Sequence, residues 1–403
     1  MSAGSFGPFL ETELTGLLAD GVTDPRYRIA SATLHDVQFR AGHYYGIAEA
    51  VVHHEGGVGQ TYFGMTTAQV PPTAQGQTTN HLGYQVFIWQ HPQDPMLPGL
   101  GLAATPAQVQ QYFAQERELT SLQTVIYRPM NRAVFKAHLA PRQPAGLGET
   151  IYLKVLRPNT AAALYNIHVK LSAAGVPVVA PIAEPVADVL ALAGGQGMPL
   201  GELVRIEGVH NHFDPRRLIG ILDRFPRQVM DYPHRPSWAD RHQEFIYSAR
   251  QAMPADDARV AHLGYQLEHA HEGLELGPLV PTHGDLYEAH ILVHQGTGRI
   301  QQLLDVDGAG PGFRVDDYAC LIGHLAVLGY NEQQRWGWQT AMRFFNQLAP
   351  YTNPYALAVR SAAMVVSLIP SHQPDAQSQL RGRAYLQIAE TLLAMAPSSF
   401  PGV

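Results

Sequence analysis

"PTHGDLYEAHILVHQGTGRIQQLLDVDGAGPGFRVDDYACL", Pro281 to Leu321, carries five aspartates and one glutamate in a chain of which only 15% is charged. Asp285 and Asp305 each border an apolar run of strand-like composition. Residues 291–293 and 300–304 flank a polar, glycine-containing turn over 294–299, the pattern of a β-hairpin. A hairpin brings its two ends together. Carboxylates placed before its first strand and after its second should therefore converge. Such a pair can serve glycoside hydrolysis, a metal site or phosphoryl transfer.

The rest of the chain narrows the setting. Its 403 residues, 46% hydrophobic, suffice for a sizeable core and for more than one domain. The single cysteine, Cys320, excludes internal disulfides and fits a reducing compartment. The opening MSAGSFGPFLETELTGLL lacks a basic segment followed by a long apolar one, so no signal peptide is expected. No run approaches eighteen apolar residues, so no membrane span is expected either, and a soluble cytoplasmic protein is the natural reading. A net charge of −7 argues against a broad nucleic-acid-binding face. It leaves room for a nucleotide, which needs only a few cations, amide groups and a metal ion. The histidine pairs His53/His54, His210/His212 and His269/His271 have no zinc-site spacing and are expected in solvated or core positions.

Read for organisation, the chain falls into three parts. Residues 1–104 form a β-rich module, with a helix near 9–18 and strands at 27–39, 43–52, 61–67 and 84–89. Residues 105–195 form a small α/β lobe: a helix opened by Thr105-Pro106, strands near 124–127, 133–138 and 150–156, a helix over 160–173, and a strand at 188–193. Residues 196–403 are helical apart from the hairpin, with helices near 215–230, 237–252, 256–273, 315–329, 333–348, 354–368 and 377–395. The fold class is α+β.

The residues around the carboxylates separate the three chemistries. HGD at 283–285 is followed, five positions after the Asp, by His290. In kinase catalytic loops an Asp orients the attacking hydroxyl and a residue five places on binds metal, while an Asp after the hairpin holds the main ion. Such a site also needs a lysine upstream on a strand of a smaller lobe. TIYLKVLRP supplies Lys154 within an apolar strand, where an unpaired ammonium is costly. A lysine on an edge strand, pointing to solvent, is the other reading of that residue.

These residues carry a resemblance. Over about 123–395 the chain resembles the aminoglycoside phosphotransferase-like kinases, of bilobal protein-kinase-like fold. HGDLYEAHIL stands for the family's HGD-x4-N-x-L loop, and DVDGAGPGFRVDDYA for its D-x4-G-x-G-x4-D-x-A segment. The resemblance implies an ATP-dependent kinase that phosphorylates a hydroxyl of a sugar, amino sugar or aminoglycoside-like small molecule. It implies Asp285 as catalytic base, with His283 supporting its loop, and Asp305 as a ligand of Mg²⁺; His290 is either a second ligand, better suited to Mn²⁺, or a residue that points away and bonds a backbone carbonyl. It implies Lys154 on the nucleotide phosphates, and Asp307 and Asp317 as supports of the site. The module at 1–104, ending in DPMLPGL, is similar in layout to the cap of maltokinases.

Three departures from the family pattern stand out. His290 replaces the usual Asn. The helix after Lys154 holds no acid to pair with that lysine. The phosphate-covering turn, YRPMNR (127–132), has no glycine; either Arg128 or Arg132 contacts phosphate in its place, or the turn is simply solvated. The other class of function open to the chain is a nucleotide-binding pseudokinase or regulatory module of the same fold. Retention of both Asp285 and Asp305 favours the enzyme.

Overall fold

The computed structural model describes residues 8–10, 12–21, 28–40, 42–54, 57–142, 148–206, 212–331, 336–369 and 375–396; His210 lies outside them. The chain forms two compact units, Met1–Asn166 with Pro181–Gly194, and Ile167–Ala180 with Gly195–Val403.

The first unit holds two antiparallel sheets. One, in the order β1-β2-β3-β5-β4, is built from β1 (Arg28–Arg40), β2 (His43–His54), β3 (Gly57–Thr66), β4 (Gln77–His81) and β5 (Tyr84–Gln90). Burial alternates along β2, so Ala48, Ala50 and Val52 face a core shared with Leu14, Leu17 and Leu18 of α1 (Leu14–Gly21). The polar strand β4, QTTNH, has no apolar alternation to betray it and was not expected from the sequence.

The second sheet, β6-β7-β8-β9, contains β6 (Leu119–Arg128), β7 (Arg132–Leu139), β8 (Glu149–Val155) and β9 (Val189–Ala193). Ala133, Phe135, Ala137 and Leu139 alternate into a core with Leu100 of α2 (Leu100–Ala104) and Val109 and Phe113 of α3 (Pro106–Phe113). Each large side chain buried there contributes about 1.5–3 kcal/mol. Lys154 pairs with Val134 on one side and Leu190 on the other, so β8 is an interior strand. The edge-strand reading of that lysine therefore fails. Helix α4 (Ala161–Ala173) follows β8 and contains no acidic residue.

The second unit is mainly helical. Its helices are α5 (Leu200–Arg205), α6 (Arg216–Leu222), α7 (His242–Ala252), α8 (Asp257–His271), α9 (Arg314–Asn331), α10 (Trp336–Leu348), α11 (Pro354–Ser367) and α12 (Ala376–Ala394). The single helix expected over 215–230 stops at Leu222, and a 3-10 turn, Arg227–Asp231, follows Pro226. Helix α11 starts at a cap in which Asn353 accepts the amides of Tyr355 and Ala356. It is buried all round from Ala356 to Val366, as a helix apolar on every face must be. Arg360 is the charged exception.

Two small sheets cross this helical mass. Strand β10 (Met198–Pro199) pairs with β12 (Ile291–Val293), which forms the expected hairpin with β13 (Ile300–Leu303). Strand β11 (Leu279–Thr282) pairs antiparallel with β14 (Gly310–Phe313). The β11–β14 pairing brings the HGD loop after β11 beside the segment that follows Asp305.

Candidate active site

The catalytic-loop geometry begins with Asp317, in the first turn of α9 and buried. Its carboxylate accepts the backbone N–H of His283 at 3.0 Å and of Gly284 at 2.9 Å. Burial raises its pKa, while Arg314, 3.4 Å away, opposes that shift. Gly284 has φ 80°, and a Cβ there would lie 2.4 Å from the Gly308 carbonyl oxygen. Only glycine fits.

His283 is wholly buried, and burial followed by its neighbour His290 lowers its pKa to about 4. Its Nε2–H donates to the Leu304 carbonyl at 2.9 Å, so Nδ1 is the acceptor of the Asp285 N–H at 3.4 Å. A neutral imidazole thus ties the loop to the end of the hairpin.

His290 ends the 3-10 turn Glu288–His290. Its Nδ1–H donates to the Asp285 carbonyl at 2.9 Å. In the neutral ring this leaves the Nε2 lone pair facing Asp305 Oδ2 at 3.6 Å. With Nε2 protonated the contact is an ion pair with Asp305; with Nε2 bare, a cation between the two atoms would join them. Asp285, His290 and Asp305 each offer a ligand atom, all within 4.8 Å of one another. One imidazole nitrogen with carboxylate oxygens suits a divalent ion, Mn²⁺ more than Mg²⁺ because Mg²⁺ prefers all-oxygen sites. The bond to a backbone carbonyl is the device that orients metal-binding histidines elsewhere.

Asp305 sits at φ 54°, ψ 49°, a left-handed conformation that a non-glycine residue adopts at some strain. Asp307 lies in the 3-10 turn that follows, Val306–Gly308. Beneath His290, the Tyr287 ring packs 4.0 Å from it and stacks on His324 at 4.3 Å. Burial, then Asp285, pushes the Tyr287 hydroxyl up to about 12, so it stays protonated.

Asp285 also accepts a hydrogen bond that the sequence reading missed. The Trp238 indole N–H donates to its Oδ1 at 3.2 Å, while Oδ2 lies 3.9 Å from His290 Nδ1. Trp238 lies inside a reciprocal turn: Ser237 N–H donates to Asp240 Oδ2 at 2.8 Å, and Asp240 N–H to Ser237 Oγ at 3.2 Å. Arg360, only 1% exposed, locks that turn, bonding Ser237 Oγ and Asp240 Oδ1, each at 2.7 Å. It also donates to Asp316 at 2.6 Å. Burial pulls the Arg360 pKa down, but Asp316 and Asp240 more than offset it. Asp240 is thus held by Arg360, and Glu288 is buried. Two signals for the network were present in sequence: SWAD has the spacing of a capping box, and Arg360 is the lone charge in the apolar run 354–367.

Lys154, Arg128 and Arg132 belong to the first unit. Lys154 is half-buried on β8, on the face opposite Leu153 and Val155. Arg128 and Arg132 stand directly opposite each other where β6 and β7 meet the intervening turn. The glycine-free turn is held by charge instead. Asp94 Oδ2 accepts the Met130 N–H at 2.8 Å and the Tyr127 hydroxyl at 2.7 Å. Arg40 donates to the Pro129 carbonyl at 2.7 Å and Arg157 to the Met130 carbonyl at 2.9 Å.

No protein-family profile matches the chain. No curated protein matches it either. It is similar to several solved structures. One is an aminoglycoside phosphotransferase from Streptomyces rimosus in complex with ADP and streptomycin (16% identity, 73% of this chain and 98% of that one, TM-score 0.38). Another is a choline kinase from Cryptosporidium parvum (14%, 74% and 96%, TM-score 0.41). A third is an ethanolamine kinase from Plasmodium vivax (12%, 73% and 90%, TM-score 0.39). Likeness of this strength says nothing about activity. No helix among the described residues is long and apolar enough to cross a membrane.

Proposed function

We propose that the protein is an ATP-dependent small-molecule kinase, transferring the γ-phosphoryl group to a hydroxyl of a sugar, amino sugar or aminoglycoside-like acceptor. The observation that carries this reading is the meeting of Asp285, His290 and Asp305, with His290 Nε2 3.6 Å from Asp305 Oδ2. The acceptor class rests on the motif resemblance alone. Within the first unit, the five-stranded sheet falls wholly in 1–104 and the four-stranded sheet in 105–195, which supports separate roles for those segments.

In this mechanism Asp285 accepts the proton of the acceptor hydroxyl through Oδ2, since Oδ1 is engaged by Trp238. The hydroxyl oxygen bonds to the γ-phosphorus, the bond from that phosphorus to the ADP oxygen breaks, and ADP leaves. Asp305 and His290 would hold a divalent ion, whose chemistry is to neutralise charge on the phosphates. Lys154, Arg128 and Arg132 are assigned to the phosphates as well, and Asp307 and Asp317 to support of the site. His283 holds the loop neutral and in place.

The test is an ATP-consumption screen against sugars, amino sugars, aminoglycosides and choline-like alcohols, with wild type and Asp285→Asn. Transfer to at least one acceptor is expected, with loss of more than about tenfold in the variant and little change in Mg-ATP binding. Asp305→Ala should weaken Mg-ATP binding by calorimetry. His290→Asn should narrow any preference for Mn²⁺ over Mg²⁺. ATP binding without transfer to any acceptor would favour the pseudokinase reading.

A further inference from the structure

Trp238 is a peculiar neighbour for a catalytic base. It is 37% exposed, so burying its ring is not what fixes its position. Its indole packs 6.0 Å from Phe245, and the Arg241 guanidinium lies 5.8 Å from the ring centre. The side chains of Ser237 and Asp240, which close the turn around it, are gripped by a nearly inaccessible guanidinium, that of Arg360. The same guanidinium holds Asp316, next in sequence to Asp317, which holds the HGD amides. The first turn of α9 therefore references both partners of one hydrogen bond: Asp285 through Asp317, and Trp238 through Asp316 and Arg360. Spending a buried ion-pair network on a half-exposed tryptophan makes little sense for stability alone, since such networks are often replaceable by apolar packing.

We infer that Trp238 is a positioning residue for Asp285: its indole N–H pins Oδ1 and leaves Oδ2 as the oxygen that takes the acceptor proton. The inference rests on the kinase reading above. A carboxylate free to rotate presents either oxygen at varying angles, and loss of alignment at the reacting centre lowers turnover without weakening nucleotide binding. Trp238→Phe keeps a ring and removes only the donor, and it lies at a half-exposed position where the chain should still fold.

The experiment uses the full chain with Mg-ATP, following transfer to the best acceptor of the panel and acceptor-free ATP hydrolysis. Trp238→Phe should lower kcat about tenfold while KM for Mg-ATP stays as in wild type. It should add no further loss to Asp285→Ala. A second measurement does not depend on turnover. In ¹H–¹⁵N spectra the chain gives indole signals from its four tryptophans, and the one missing in Trp238→Phe belongs to Trp238. That signal should move in Asp285→Ala. A kinase-active chain whose Trp238→Phe variant keeps wild-type kcat, or whose Trp238 signal ignores the loss of Asp285, overturns the positioning role alone. A wild type that turns over no ATP with any acceptor overturns the kinase reading and this role together.

Discussion

Two loops of this molecule are held by buried carboxylates, and they are held differently. In the second unit Asp317 takes two consecutive amides of the HGD loop, and glycine at 284 lets the backbone turn with φ 80° against the Gly308 carbonyl. In the first unit Asp94 takes one amide and one hydroxyl of the turn between β6 and β7, and no glycine is present. Met130 itself adopts φ 57°, with its side chain buried among Phe87 and Trp89. Two arginines hold the neighbouring carbonyls. One loop gains its shape from a residue without a Cβ; the other has a strained residue clamped from all sides. A glycine-free turn can therefore be as well defined as a glycine-rich one, provided charged groups meet its polar atoms.

The widest test of that contrast lies at the HGD loop. Asp317→Ala leaves the buried His283 N–H and the part-buried Gly284 N–H without their acceptor, while Arg314 keeps the Leu222 carbonyl and Asp223. It should lower stability by about 3–5 kcal/mol, measured by urea unfolding. Gly284→Ala should be nearly as severe for activity, because its Cβ would lie 2.4 Å from a backbone oxygen, that of Gly308, at a φ that favours glycine. Phosphoryl transfer should fall by more than about a hundredfold in either variant. A Gly284→Ala chain with wild-type turnover would show that the loop is not held as described.

The matching change in the other loop should be milder. Asp94→Ala strands the Met130 N–H, the Met96 N–H and the Tyr127 hydroxyl, but the two arginines still hold the turn. A loss of about 2–3 kcal/mol is expected. On the kinase reading, KM for Mg-ATP should rise while kcat changes little, since Asp94 reaches no residue assigned to proton transfer. Equal damage to kcat would break the contrast between the two loops.

The two loops were also unequally legible. The HGD loop and its hairpin announce themselves because their parts are neighbours in sequence: His283, Asp285, His290 and Asp305 span a stretch that one hairpin folds back on itself. The interior position of Lys154 was half-legible, from a charge in an apolar strand, but whether that strand is an edge depends on pairing. Trp238 and Asp285 are 47 residues apart, and Arg360 and Ser237 123 apart. Asp94 and Met130 are separated by 36. No local periodicity encodes contacts of that range. Helix α11 shows the same limit: its apolar run was readable, but the partners of its one buried arginine were not.

Acid should separate the two units further. His324, beneath the Tyr287 ring, and His271, on α8, have pKa values lowered to about 4, in each case chiefly by burial. The unfolded chain binds protons near pH 6.5 while these folded imidazoles do not, so stability is kept above that value and is lost as pH falls from 6.5 toward 4. Each such group removes about 1.4 kcal/mol per pH unit in that window. Both belong to the second unit, so hydrogen exchange at pH 5 should show it loosening before the first. His324→Phe should flatten the slope of stability against pH by one imidazole's share. An unchanged slope would mean that His324 titrates alike in both states.

The smallest effect isolates the strain itself. Met130→Gly and Met130→Ala both remove a side chain buried beside Phe87 and Trp89, and each should lose about 2–4 kcal/mol through that cavity. They differ in the backbone. At φ 57° alanine keeps the clash of Cβ with its own peptide, whereas glycine has none. Met130→Gly should therefore be the more stable of the two by about 1 kcal/mol, even though glycine has more freedom to lose on folding. At Gly284 the same pair of residues should differ by far more, because there the added Cβ also meets the Gly308 carbonyl. Parallel unfolding curves of the two Met130 variants measure the difference directly. If alanine matches or exceeds glycine at 130, the left-handed turn carries no strain, and Asp94 with its two arginines does more than hold a costly conformation: it makes that conformation the preferred one.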